Sequence, residues 1–95
     1  MNIEITARHF TASSHLKELI YEKINKVKKF NSDIISCHVI LSRANNSENV
    51  EIVARANGYH FSAHNNADLF ERSLVNAINK ISIQIKKKHE KAIMR

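Results

Sequence analysis

Apolar and polar residues alternate strictly over residues 2–8, NIEITAR, putting Ile3, Ile5 and Ala7 on one face with the two-residue period of a β-strand. From Leu16 the period changes. Leu16, Leu19, Ile20, Ile24, Val27 and Phe30 recur at three- and four-residue spacing, one face of a helix that Ser13 is placed to cap. NSD at 31–33 breaks it. Residues 34–42, IISCHVILS, are β-branched and aliphatic, and alternation assigns Ile35, Cys37, Val39 and Leu41 to one face. The polar stretch RANNSEN predicts a turn, VEIVARA a third strand, and Asn57-Gly58 a type I′ hairpin. YHFSAH predicts a fourth strand, with Tyr59, Phe61 and Ala63 opposite His60, Ser62 and His64. A long second helix follows, capped by Asn65 or Asn66, with Asp68 and Glu71 at its positive end and a stripe of Phe70, Leu74, Ala77, Ile78, Ile81 and Ile85.

The order is β-α-β-β-β-α. Its first step is compatible with a right-handed parallel crossover, and the next two links read as hairpins. Each helix has one apolar face to cover, so both belong on the same face of a four-stranded mixed sheet. The expected fold class is α+β, a two-layer sandwich. The other sheet face carries His38, Ile40, Val53, Arg55, His60, Ser62 and His64, a mixed surface that tolerates water.

Composition narrows the function classes. The 95 residues suit one domain, 1–95, that folds without metal or disulfide staples. A lone cysteine, Cys37, forms no internal disulfide and fits a reducing compartment. The start of the chain has no basic-then-apolar leader, and no apolar run approaches the roughly 20 residues a membrane span needs. A cytoplasmic location is therefore expected. Net charge is +6, and residues 80–95 carry five of it: Lys80, Lys86, Lys87, Lys88, Lys91 and Arg95 against Glu90. A few lysines at a helix C-terminus complement its dipole and aid solubility. Six basic residues in sixteen exceed that need and favour a polyanionic partner.

One lysine is out of place. At about 100° per residue, Lys23 lies almost above Leu16 in the apolar row, with Lys26 at its edge. On the second helix Lys80, Gln84, Lys87 and Lys91 line one flank of the stripe, and Lys88 continues it beyond Ile85. A buried unpaired ammonium is costly, so Lys23 must snorkel outward, pair with an acid or meet an anion. Gathered between the helices or along one rim, these groups would bind a phosphate backbone with release of counterions.

At this point the chain resembles a known family. LKELIYEKINKVKKFNSDIISCHVIL, residues 16–41, is similar to the first helix and second strand of the ribosome hibernation promoting factors, also called ribosome-associated inhibitors or sigma modulation proteins. The pattern falls on Leu16, Lys23, Lys26, Val27 and Phe30. ITARHF resembles the family's first strand, and ADLFERSLVNAINKISIQIKKKHEK its last helix, with Lys80, Gln84 and Lys87 at the matching positions. DLFERSLVN departs from the family's usual start to that helix. The length resembles the short members, which lack a further tail or dimerising domain. The resemblance implies a fold related to double-stranded RNA-binding domains and a protein that binds the small ribosomal subunit near the decoding centre. Messenger and transfer RNA are then excluded by occlusion, not chemistry. It implies ribosomal RNA contacts from Lys23, Lys26, Lys80, Lys87 and Lys88, with Lys86, Lys91 and Arg8 as further candidates. It also implies that short members promote pairing of idle ribosomes, usually with a second factor. No cofactor, small-molecule substrate or enzymatic activity is expected.

Other readings fare less well. His60 and His64 stand four apart on a strand, roughly 13 Å at ~3.3 Å per residue, too far for one metal ion without a bulge. Ser13, Ser14 and His15 are adjacent in sequence, which does not supply nucleophile–base geometry, and a helix cap accounts for the serines. A single glycine excludes a glycine-rich phosphate loop. Tyr59 and Phe61 read as core and not as a base-stacking platform. The main alternative is a protein-interaction or general RNA-binding module without a ribosome-specific role, using the open sheet face or an edge strand. Membrane binding by the last helix competes with the core's need for its apolar stripe.

Overall fold

Six elements follow one another in the computed structural model: β1 (Asn2–Ala7), α1 (Ser14–Phe30), β2 (Ile34–Ala44), β3 (Ser47–Ala56), β4 (Tyr59–Ala67) and α2 (Phe70–Ile93). The structure describes residues 1–30 and 33–93, and the side chains of residues 30 and 89–93 lie outside that description. The helix break expected at Asn31 and Ser32, and the place of Phe30 in the α1 stripe, fall outside it. The sheet order is β1-β2-β3-β4, with β1 parallel to β2 and both later pairs antiparallel. This is the α+β arrangement that the pattern predicts.

Both helices cover one face. Ile20, Ile24 and Val27 of α1 and Phe70, Leu74, Ala77, Ile81 and Ile85 of α2 close over Cys37, Val39, Leu41, Val50, Ile52, Ala54, Phe61 and Ala63. Burial at these positions supplies the main driving force, about 1.5–3 kcal/mol for each large aliphatic side chain taken from water. Ser13 caps α1 as expected, its Oγ accepting from the Leu16 amide at 3.1 Å. Burial pushes the Cys37 thiol pKa up, so the thiol stays protonated in the core.

Four local expectations are corrected. The register shifts between Ile34 and Ser36, so Ile34 turns into the core and Ile35 is left 57% exposed. Alternation fails there because the strand opens with an extra residue, a bulge. The 43–49 stretch is mostly strand. Only Asn45 and Asn46 make the turn, at φ 51° and 63°, and two left-handed residues are the type I′ signature. Conversely, at Asn57-Gly58 only Gly58 is left-handed, at φ 83°, so that link is not type I′. Asn65 and Asn66 do not cap α2. They pair with Val50 and Asn49 inside β4, and the helix begins at Phe70. Its first amide finds a distant acceptor: Phe70 N–H donates to Glu48 Oε1 at 3.0 Å, and Ser73 Oγ donates to the Glu48 carbonyl. A carboxylate at this position also suits the positive end of the helix dipole.

Candidate nucleic-acid interface

The α1 stripe is centred between Ile20 and Ile24, both essentially fully buried, and not on Leu16, which is half-buried. Lys23 is therefore on the flank of the stripe. Its stem is half-buried, and its ammonium has no hydrogen-bond or ion-pair partner among the described residues. Lys26 is exposed and makes a loose pair with Glu22, at 3.8 Å, of the kind that contributes little in water.

On α2, the flank carrying Lys80 and Gln84 lies against β4. Lys80 Nζ donates to the His64 carbonyl at 2.9 Å, Gln84 Nε2 to the Ser62 carbonyl at 2.6 Å, and Asn76 Nδ2 to Asn65 Oδ1 at 3.1 Å. β4 is a sheet edge, so the Lys80 and Gln84 bonds satisfy outward backbone carbonyls that would otherwise be open to another strand. The Lys80 ammonium keeps two of its three donors free. Further along, Lys88 Nζ sits 4.1 Å from the centre of the Tyr59 ring, a cation–π contact, while Lys86 and Lys87 are exposed. The Lys91 side chain lies outside the described residues.

The two lysine rows are related by a simple argument. β1 and β4 run the same way, each helix returns along the sheet after its strand, and so α1 and α2 run parallel. Side chains at equal angular offsets from the two buried stripes then point in the same lateral direction. Lys80 and Gln84 point to the β4 rim, away from α1. Lys23 and Lys26, at a similar offset on α1, point toward α2, where Leu16 and Leu19 are half-buried beside them. The opposite flank of α2, with Val75, Ile78 and Ser82, completes that interhelical groove. The lysines thus form two parallel ridges facing the same way, one along the groove and one along the rim, about one interhelical spacing (~8–10 Å) apart. Arg8 joins neither. It lies on the open sheet face near Ile40, Ser42, Glu51 and His64.

A cluster that pattern reading missed occupies the end of the molecule where α2 begins. The rings of Phe10 and Phe70 stack with centroids 5.3 Å apart, and the Arg43 guanidinium lies 4.6 Å from the Phe10 centroid. Arg43 Nε also donates to Glu48 Oε2 at 3.0 Å. On the open sheet face Thr6 Oγ1 and His38 Nε2 share a hydrogen bond of 2.8 Å. Among the described residues, no three histidine, cysteine or acidic side chains come close enough to hold a metal ion.

Residues 3–93 match the family model described as sigma 54 modulation protein / S30EA ribosomal protein. Among solved structures, a ribosomal subunit interface protein from Coxiella burnetii superposes with a TM-score of 0.89 at 20% identity, over 95% of this chain and 99% of that one. The N-terminal domain of Protein Y from Thermus thermophilus gives 0.82 at 18% identity, over 92% of this chain and 98% of that one. At these identities the likeness is one of fold. No curated protein matches the sequence.

Proposed function

Because the chain belongs to the sigma 54 modulation protein / S30EA ribosomal protein family, we propose that it is a ribosome hibernation factor acting through its two lysine ridges. It binds the small ribosomal subunit near the decoding centre, its ammonium groups meeting ribosomal RNA phosphates, and it inhibits translation by occupying the path of messenger and transfer RNA. The observation that carries the reading is Lys23: a half-buried lysine with no anion partner among the described residues, on the groove-facing flank of α1 that it shares with Lys26. Binding needs no cofactor. Each ammonium placed on a phosphate releases counterions, so association weakens as salt rises. Pairing of idle ribosomes, with or without a second factor, is the physiological output this reading allows.

Charge reversal at Lys23, Lys26 and Lys87 together is expected to abolish co-sedimentation with ribosomes while the circular dichroism spectrum stays native. All three side chains are outside the buried core, so folding is preserved. Unchanged pelleting by that variant would sink the proposal. Pelleting that is insensitive to salt would instead favour a protein–protein contact through the open sheet face. The same gradients, run without and with the protein, show whether ribosome dimers form.

A further inference from the structure

We propose that the cleft beside Arg43 is a nucleobase-binding site, which takes an unstacked base of single-stranded RNA. The cleft, about 520 Å³, is bounded by Arg43 on one side, Asp68 and Leu69 on the other, and the Asn45–Asn46 turn between them. This inference deepens the ribosome reading and rests on it, because RNA is what brings a base there.

Three observations select a base over a phosphate. First, the Arg43 guanidinium is held in place: Phe10 lies under it at 4.6 Å, Phe70 at 5.5 Å, and Glu48 fixes its Nε. Its side chain is nevertheless 59% exposed, so it can offer a planar face to a second ring. Second, the local charge is spent. Glu48 balances Arg43, and the Asp68 carboxylate, which binds Arg72 at 3.2 Å, stands on the facing wall, a poor setting for another anion. Third, the rest of the lining matches a flat heteroaromatic with polar edges. Leu69 is 51% exposed and supplies an apolar surface. The exposed Asn45 and Asn46 side-chain amides have no hydrogen-bond partner among the described residues and carry both donors and acceptors for base edges. Their left-handed backbone holds them at the mouth. The lysine ridges would bind the sugar-phosphate chain without reading it. The cleft would hold one base.

The test uses the full chain and a short single-stranded RNA containing one 2-aminopurine, whose fluorescence rises when it leaves the stack of its neighbouring bases. Matched strands carry an abasic site at the same position. Wild type is expected to brighten the probe and to bind the base-bearing strand about tenfold more tightly than the abasic one. Arg43→Lys keeps the charge opposite Glu48 but removes the planar face, so the brightening and the tenfold preference are both expected to vanish. Leu69→Asp, at an exposed position outside the Arg43–Glu48 pair, is expected to lower the preference as well. Equal affinity of wild type for the two strands overturns the site, and so does full brightening by Arg43→Lys. Binding of the free 2-aminopurine riboside as tightly as the strand overturns the choice of RNA and assigns the cleft to a free nucleoside. A wild type that pellets with ribosomes but shows no base preference sinks this site alone. Persistent pelleting by the triple lysine variant sinks the ridge model and leaves the cleft standing.

Discussion

Glu48 ties three elements together. One carboxylate oxygen accepts from the first amide of α2, the other from Arg43 on β2, and its own carbonyl accepts from Ser73. Substitution by Ala should cost about 1–3 kcal/mol, the combined scale of a helix cap and a charge-assisted bond. Gln at the same position keeps an acceptor for Phe70 and loses the charge, so it should cost roughly half as much. Urea unfolding of both variants checks the order, and equal stability of Glu48→Ala and wild type would refute the cap. None of this was legible in the sequence. Glu48 falls within a polar stretch that reads as a turn, and its partnership with Arg43 exists only because the chain reverses at Asn45–Asn46 and pairs those two residues across the strands. Lys23 is the opposite case. Its oddity is periodic, and helical periodicity is a property of sequence alone.

The same contrast holds for whole elements. All six strands and helices and both apolar stripes follow from period and composition, because a half-buried element must repeat its apolar residues at its own pitch. What alternation does not carry is an extra residue, as at Ile35, or which of two asparagine turns takes which type. Asn-Gly at 57–58 is the stronger type I′ signal, yet Asn45–Asn46 adopts the two left-handed conformations. The consequence is measurable. Asn46→Val should destabilise the protein by about 1–2 kcal/mol, since a β-branched residue is strained in the left-handed region. Asn57→Val, at a residue with negative φ, should cost less than half of that. Thermal or urea unfolding of the pair decides it, and a larger cost at Asn57 would contradict the turn assignment. The α2 start was missed for a related reason. Asn65 and Asn66 are good caps in isolation, but β3 offers them strand partners, and ladder pairing extends β4 past them.

At the scale of the whole molecule, charge is sorted by how firmly each ammonium is already held. Among the described residues Lys23, Lys86 and Lys87 have no partner, whereas Lys26 pairs loosely with Glu22, Lys28 donates to the Ile34 carbonyl, Lys80 to the His64 carbonyl, and Lys88 sits on the Tyr59 ring. Binding to a polyanion should register that division. For each lysine that meets a phosphate, the slope of log affinity against log salt concentration changes by about 0.7–0.9. Changing Lys23 or Lys87 to Gln should therefore shallow the slope for ribosome binding by close to one unit each. Lys88→Gln should change it by less, because its ammonium must leave the Tyr59 face before it serves a phosphate, and part of what it gains there is offset. Affinity measured between ~50 and ~200 mM salt for the three single variants separates the two groups. If Lys88→Gln shallows the slope as much as Lys23→Gln, the Tyr59 contact does not hold Lys88 back. If neither Lys23 nor Lys87 alters the slope, the ridges are not where the RNA lies.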